Sequence, residues 1–467
     1  MRVNTHDAGV AVDSQEPPAF RDSQHENPVL PLIPSFSSAR EARLAIELVP
    51  RMDAASDLSV DDHTLIPGVA HGRLILDLIR SARESARERD LSDEAFRAKI
   101  LTAHQFLCYR RDEHGHSVPP IAVSLPGVQP KVHLAVVPNG VGQRALIHAC
   151  QRVLGFENRN IDVVSPSGVG TIRFVRLGSI VLNFPPSGSP RSFYRTLARK
   201  IDGIFKSGFG SVSRGDEEAG TATQALLLAV NIGTVIIGPV SARDSDPRRA
   251  AALWSMLADL AVETGLPILI VVTPGAAANL IEHSGALSAL TSRGVYSIEP
   301  LTLVSKDWAN VALMAWLKYL KAAAALPPQW FPTALWSQTL GRIELAIKVC
   351  AHIASTWQTA RNVSLTEDEF AAHARHALVL ERPRLRAILR AERGGAFSRA
   401  QVMANGDWLP LPILVESIPG LDERDDLFAS TIYPSLKVPR PEKAIQSSIE
   451  KRNKTPKHSA SQEGGVA

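Results

Sequence analysis

The sequence is poor in several features that would confine it to one class of protein. Its three cysteines, Cys108, Cys150 and Cys350, are far apart and odd in number, which excludes a disulfide framework and indicates reduced thiols. Aromatic residues make up only 6% of the chain, and a formal net charge of +4 excludes an overall basic field for nucleic acid. No apolar run is long enough to cross a membrane, and residues 1–30 lack the basic-then-apolar pattern of a signal peptide. These absences predict a cytoplasmic protein that does not contact a membrane.

The two ends of the chain differ in composition from its interior. Residues 1–37 are rich in Pro, Ser and Asp, and residues 437–467 form a basic, low-complexity tail, so both are predicted to be disordered. Residues 38–130 show amphipathic helical patterns followed by a polar, Pro-rich linker. Residues 394–436 are an irregular extension interrupted by Pro and Gly. The basic tail could bind DNA or a partner, or could only keep the chain in solution.

Residues 131–300 alternate between apolar runs and helical patterns. Four apolar, β-branched runs predict buried strands, at 133–137, 172–182, 225–237 and 267–273. Three helical stretches lie between them, at 143–154, 190–206 and 247–264. This alternation predicts an α/β domain with a mostly parallel sheet and helices on both faces. Beyond residue 300 the strand signals stop, and residues 301–393 predict an all-helical domain, with helices at 305–325, 333–357, 366–379 and 382–393.

A glycine-containing loop follows the first predicted strand. It consists of Pro138, Asn139, Gly140, Val141 and Gly142, and the next helix begins with Gln143 and Arg144. Strand, glycine loop and helix form the layout of a phosphate-binding loop, in which successive N–H groups and a helix N-terminus face an anion. The same glycines could instead serve only a tight strand-to-helix turn. The loop is therefore a candidate site for ATP or ADP.

The groups that a nucleotide hydrolase needs around such a loop are missing. A Lys for the β- and γ-phosphates and a Ser or Thr for Mg²⁺ should follow Gly142, but Gln143 and Arg144 stand there. The acidic pair that would hold Mg²⁺ after a second strand is replaced by Gly238 and Pro239. Hydrolysis and Mg²⁺ binding are accordingly not expected. Arg144 could bind a phosphate in place of the Lys, or form a salt bridge that keeps the site shut.

Two polar residues remain where a nucleotide site could use them. Thr273 ends the strand 267–273 and could act as a polar sensor of the nucleotide. Arg293 follows in a Ser-Arg-Gly context and could reach the γ-phosphate of a neighbouring subunit. No group of residues has the spacing of a complete metal site.

One predicted helix carries a basic face. Its members fall mostly at spacings of four and are Arg191, Arg195, Arg199 and Lys200. Such a face either binds DNA phosphates, with steep salt dependence, or is a solvated surface without a partner.

The order and spacing of landmarks over residues 131–393 resemble the AAA+ regulators of heteromeric cut-and-paste DNA transposons, the TnsC/TniB type. The resemblance rests on segments that are not specific singly: Val175 to Leu177, Asn183 to Ser189, Asp202-Gly203, Gly265 to Pro274, Ser292-Arg293, Asp307-Trp308, Trp336 to Gln338, Leu340 to Lys348, Asn362 to Thr366, and Arg382 to Arg390. It implies an AAA+-like P-loop domain followed by a helical lid. It also implies a role in transposition, with DNA, a transposase subunit, and an AAA+ paralogue or further copies of the same chain in a ring or filament as partners.

The departures from that family fall where hydrolysis would occur, at Val137, Gln143, Arg144, Gly238 and Pro239. The favoured hypothesis is therefore a non-hydrolysing transposition accessory protein, which bridges target DNA, a transposase and an active ATPase paralogue. A second hypothesis is an active ATPase in which Arg144 replaces the Lys and an acid from elsewhere holds Mg²⁺; the candidates are Glu217, Glu218 and Asp244. A third is a protein-binding scaffold that uses the fold with neither nucleotide nor DNA.

Overall fold

The computed structural model describes residues 27–47, 65–108, 125, 127–164, 170–211, 215–320, 326–357, 365–393, 401 and 404–416. The predicted disorder of residues 1–26 and of the tail 437–467 lies outside these residues, as does most of the irregular extension. Within the described part of the chain, no helix is both long and apolar enough to cross a membrane.

In the part of the chain that the structure describes, six strands form one layer in the order β2-β3-β4-β5-β1-β6. Their bounds are β1 Lys131–Val136, β2 Asn158–Val164, β3 Thr171–Leu182, β4 Ile232–Val240, β5 Pro267–Val272 and β6 Val295–Ser297. All neighbouring strands run parallel except β2, which pairs antiparallel with β3. Every residue of the central strands β1 and β5 is buried, as the continuous apolar run of a parallel sheet requires.

Among the described residues, nine α-helices surround the sheet or precede it. They are α1 Ala39–Ala45, α2 Val69–Glu88, α3 Glu94–Cys108, α4 Gln143–Leu154, α5 Pro190–Phe205, α6 Asp216–Ala229, α7 Pro247–Thr264, α8 Pro274–Ile281 and α9 Ser284–Leu290. Their ends follow local chemistry: α7 begins where the Asp246 carboxylate accepts from two backbone N–H groups and ends at Gly265 with φ of 55°. The helix α2 packs against β1, β4, β5 and β6, so the N-terminal helices share the core of the sheet.

The remaining helices follow β6. They are α10 Lys306–Ala315, continued by a π-helical turn Trp316–Leu320, then α11 Phe331–Thr339, α12 Ile343–Trp357, α13 Glu367–Ala377, α14 Arg382–Glu392 and α15 Leu411–Glu416. They enclose a second core around the buried aromatic side chains of Trp308, Trp316, Phe331 and Phe370. The predicted fold class is thus confirmed: an α/β layer with a mostly parallel sheet is followed by an all-helical unit.

Two predicted elements are corrected by the structure. The strand expected at 225–237 is wrong in its first half, because the chain is helical up to Ala229 and β4 begins only at Ile232. A short apolar run suits either element, and a turn at Asn231 with φ of 43° separates the two. The helix expected at 333–357 is in fact two helices, since Leu340 and Gly341 adopt left-handed φ values of 51° and 70°.

Other elements carried too little signal to be predicted. Strand β2 lies at the sheet edge with exposed polar residues, and β6 has only three residues. The packed chain also begins before the predicted boundary at residue 37. Val29 is fully buried, and the Asn27 side-chain amide donates to the Ala86 carbonyl at 2.6 Å, so residues 27–37 are fixed against α2.

Candidate functional site

The loop after β1 has the shape that the sequence predicted. Gly140 and Gly142 take φ values of 82° and 111°, which only glycine adopts without strain, and α4 begins directly after Gly142. The Val137 N–H donates to the Val272 carbonyl at 2.8 Å, so the loop leaves the sheet beside the end of β5. No side chain caps the N-terminus of α4. The loop therefore lies at the carboxyl ends of the strands, where parallel α/β sheets bind their ligands.

Gln143 fills the position of the missing Lys by folding back onto the loop. Its side chain is 9% exposed, and its Nε2 donates to the Val137 carbonyl at 2.5 Å and faces the Asn139 Oδ1 at 3.4 Å. This amide ties the two ends of the loop together. Arg144, the next residue, is exposed in the first turn of α4.

The end of β4 has no room for an acid at residue 238. Gly238 has φ of 131°, and a Cβ built on it would lie 2.4 Å from the Val271 carbonyl oxygen of β5. The strand continues through a cis Gly238-Pro239 bond to Val240, with a register shift against β5. The nearby Asp244 accepts from the Ser241 hydroxyl at 2.7 Å, within the loop between β4 and α7.

A residue that the sequence analysis did not consider occupies the edge of the sheet. Asp407 lies in the extension predicted to be irregular, and its Oδ1 accepts from the Ala242 N–H at 2.8 Å and from the Thr273 hydroxyl. Its backbone carbonyl accepts from the Asn139 N–H at 2.9 Å. One aspartate thus binds the loops that follow β1, β4 and β5. A single acid in an irregular segment has no spacing pattern that could have predicted this position.

Arg342 completes the enclosure from the helical unit. It is 2% exposed, and its Nη1 and Nη2 donate to the Asn139 and Trp408 carbonyls at 2.5 and 2.9 Å. Its guanidinium lies 5.2 Å from the Trp408 ring centroid, in cation–π geometry. Burial lowers the pKa of Arg342 to about 10, which leaves it charged near neutral pH. Because Arg342 lies in the Leu340-to-Lys348 segment, the family resemblance was the one signal that could have indicated it.

The next backbone contact of the loop also comes from the helical unit. The Glu344 N–H donates to the Gly140 carbonyl at 3.1 Å, and a Cβ on Gly140 would approach the Leu345 side chain to 3.2 Å. The glycine is thus needed for close packing of α12 as well as for its backbone conformation.

Thr273 and Arg293 lie at opposite edges of the sheet. Thr273 is 1% exposed and caps α8, with its Oγ1 accepting from the Ala276 N–H at 3.2 Å while donating to Asp407. Arg293 lies before β6, where its N–H donates to the Val132 carbonyl and its guanidinium pairs with Glu84 at 2.5 Å. The distance between the edges places Arg293 away from this chain's own loop.

All four members of the basic face expected on α5 are exposed residues. Arg191, Arg195 and Arg199 follow one another at spacings of four, and the Lys200 ammonium donates to the Val181 carbonyl of β3 at 2.6 Å. The sequence analysis missed three more exposed arginines near the start of α7, namely Arg243, Arg248 and Arg249. The two helix starts are adjacent, since a Cβ on Gly188 would lie 2.5 Å from the Arg249 carbonyl oxygen.

The fit of a nucleotide and of Mg²⁺ to these residues differs. The uncapped start of α4 suits a phosphate, because its first N–H groups have no partner within the helix. Around it, however, Asn139 and Gly140 are bonded to Asp407, Arg342 and Glu344. Among the described residues, no three His, Cys, Asp or Glu side chains are grouped to hold a metal ion. The described residues around the loop therefore do not fit Mg²⁺.

Comparison with known proteins adds little to this geometry. No protein-family model and no curated protein matches the chain. Two solved structures of the Aeropyrum pernix ORC2 protein, its ADPNP–ADP complexes and its ADP form, match 77% of this chain and 85% of their own. Their identities are 13% and 14%, and their TM-scores are 0.35 and 0.30. Values this low support no statement about activity or ligands.

Proposed function

We propose that this chain is a non-hydrolysing transposition accessory protein of the AAA+ type, which bridges target DNA, a transposase and an active ATPase paralogue. One observation carries the non-hydrolysing part: the positions of the phosphate-binding Lys, of one metal-binding acid and of the polar sensor are each closed by packing or hydrogen bonds within the chain. Gln143 closes the loop, Gly238 passes too near β5 to carry a side chain, and Asp407 binds Thr273. The transposition context rests on the sequence resemblance over residues 131–393.

The contacts suggest how such a member works without a nucleotide cycle. Arg342 and Glu344 join the helical unit to the loop through its carbonyl groups, at 2.5 and 3.1 Å. In a hydrolysing enzyme a bound nucleotide would link the two units, and its loss would separate them. Here the link is intramolecular and permanent, so assembly on DNA does not depend on turnover.

The DNA contact is assigned in this proposal to the arginines of α5 and α7. Exposed guanidinium groups bind phosphates without reading sequence, as a target-selecting scaffold would need. Arg191, Arg195 and Arg199 recur every four residues, about 6 Å along the helix axis, on one face.

Equilibrium binding of a fluorescent ATP analogue, with and without Mg²⁺, tests the nucleotide part, together with phosphate release. The expected result is weak binding without turnover in either buffer. An affinity tighter than about 100 μM, roughly −5.5 kcal/mol, would contradict a closed site. Turnover that is lost in Asp244→Ala would instead favour the active ATPase, with Arg144 and Asp244 in its site.

Salt-dependent DNA binding tests the surface. We expect the triple variant Arg191→Ser, Arg195→Ser and Arg199→Ser to bind duplex DNA more weakly and to reduce the slope of log K against log salt. Each lost phosphate contact lowers that slope by about 0.9. Arg386→Ser, at an exposed arginine of α14, is the control. Absence of both nucleotide and DNA binding would leave the protein-binding scaffold.

A further inference from the structure

A carboxylate of the chain itself, that of Asp407, is bound at the carboxyl edge of the sheet. We propose that residues 404–416, here termed the C-terminal strap, hold the Asp407 carboxylate where an anionic ligand would bind, and that a polyphosphate competes with the strap for this edge. This inference rests on the proposed function, because it explains how a site of AAA+-like layout is kept closed.

The strap accepts hydrogen bonds from the loops that follow three strands. The Asp407 Oδ1 accepts from the Ala242 N–H and the Thr273 hydroxyl, and its carbonyl accepts from the Asn139 N–H. Backbone N–H groups, a hydroxyl and a nearby guanidinium are the donors that phosphate oxygens also use. A carboxylate bound by such donors therefore accepts the hydrogen bonds that an anionic oxygen of a phosphate chain would accept.

The strap also packs closely against this edge of the sheet. Gly275, at the start of α8, admits it closely: a Cβ there would lie 2.9 Å from the Gly406 carbonyl carbon and 3.0 Å from the Asp407 Oδ1. Leu409, Leu411 and Leu414 are buried beyond it. The strap thus packs closely against the start of α8 and is held by buried leucine side chains.

The contacts that anchor the strap are separate from its anionic end. Arg384 of α14 donates to the Ala404 carbonyl and to the Asn405 Oδ1, the latter at 2.9 Å. Asp407 and Trp408 themselves are only half-buried. A ligand arriving from solvent can therefore displace the anionic end while the leucines stay packed, and Arg342 would then lose its Trp408 acceptor.

The test compares four variants with the full-length wild type. Asp407→Ala removes the carboxylate, Asp407→Asn keeps its shape without the charge, and Arg384→Ala weakens the anchor. Arg386→Ala changes an exposed arginine of the same helix and serves as the matched control. The probe is a fluorescent ATP analogue in Mg²⁺-free buffer, displaced by inorganic pyrophosphate or by adenosine.

We expect Asp407→Ala to bind the probe at least about tenfold more tightly than the wild type, Asp407→Asn and Arg384→Ala to fall between, and the control to match the wild type. Pyrophosphate but not adenosine should displace the probe, since the strap mimics only the phosphate part. Hydrogen exchange at the Ala242 and Asn139 amides should accelerate at least tenfold in Asp407→Ala.

Folded Asp407→Ala protein with wild-type probe affinity and unchanged exchange at both amides would overturn the proposal. If Asp407→Ala does not fold, wild-type probe affinity and unchanged exchange at both amides in Asp407→Asn and Arg384→Ala would overturn the proposal. Displacement by adenosine alone would also overturn it, because the site would then recognise the base. ATP turnover by the wild type would contradict the proposed function and is measured separately, so the two failures remain distinguishable.

Discussion

The two edges of the sheet treat their charged residues differently. At the amino edge, charges are neutralised in pairs against α2: Lys131 binds Glu88 at 2.6 Å and Arg293 binds Glu84 at 2.5 Å. At the carboxyl edge, Arg342 and Asp407 instead bind neutral carbonyl, N–H and hydroxyl groups of the loops. Paired charges at the amino edge stabilise packing of one helix. At the carboxyl edge, the charged side chains form hydrogen bonds with polar groups of the loops. In a nucleotide-binding protein, these groups would face a ligand.

The largest expected effect comes from restoring an acid to the carboxyl edge. Gly238→Asp should destabilise the protein by about 4 kcal/mol, combining a strained backbone with a side chain forced into β5. The cause is the Val271 carbonyl oxygen, 2.4 Å from the new Cβ. The midpoint of thermal unfolding measures it.

Gly285→Asp is the matched control for that substitution. It lies exposed in the first turn of α9, where a Cβ would meet nothing within 4 Å. An acid near a helix N-terminus is neutral or mildly stabilising. If Gly238→Asp were equally well tolerated, the edge would have room for a metal-binding acid and the comparison between the edges would weaken.

The second-largest loss of stability is expected for substitution of Arg342. Arg342→Met should cost about 3 kcal/mol, because two buried carbonyl groups lose a charged donor and the contact with the Trp408 ring changes. Arg342→Lys should cost less, since a lysine can still reach one carbonyl. Urea unfolding followed by tryptophan fluorescence measures both, with exposed Arg386→Met as the reference. A cost below about 1 kcal/mol for Arg342→Met would show that packing of the helical unit against the loop does not depend on this contact.

The loop itself could be predicted from sequence because its determinants are local. Glycines at 140 and 142 and the apolar spacing of α4 lie within one short stretch, and the backbone follows from them. What closes the loop could not be predicted. Arg342 and Asn139 are 203 residues apart, and Thr273 and Asp407 are 134 apart, so only tertiary packing brings them together.

Secondary structure failed where the local pattern fits two elements. The apolar residues 225–229 suit a strand, yet they form the buried end of α6, because the chain must turn at Asn231 to enter β4. The predicted strand also ended at residue 237, although β4 continues to Val240 through a register shift. Both misreadings concern the strand that carries no acid. The absence of the acid could nevertheless be predicted, because the residues at positions 238 and 239 are known from the sequence whatever the fold.

Near the amino edge, a buried histidine predicts a pH effect. Burial, with a smaller contribution from Arg293, lowers the pKa of His133 from 6.5 to about 3. The unfolded chain binds this proton first, so stability is complete above pH 6.5 and is lost as the pH falls toward 3. Between pH 7.5 and 5 the loss from this residue should be about 2 kcal/mol.

His133→Phe should remove the contribution of this residue to the pH dependence of stability, whatever the substitution does to stability at pH 7.5. Exposed His104→Gln, on α3, is the control and should retain the full dependence. Urea midpoints at the two pH values measure the difference. An unchanged pH dependence in His133→Phe would show that the ring is accessible to protons in the folded state.

The smallest effect is expected for the arginine at the amino edge. Arg293→Met should cost less than about 1 kcal/mol, because both partners of its ion pair are about one third exposed and water solvates Glu84 when the partner is removed. Added salt should shrink the difference further, since exposed pairs are screened. The same substitution type at Arg342 leaves buried carbonyl groups without a donor, and salt should change that cost little. If Arg293→Met proved more costly than Arg342→Met, the amino edge would hold the tighter network, and the contrast between the two edges would be reversed.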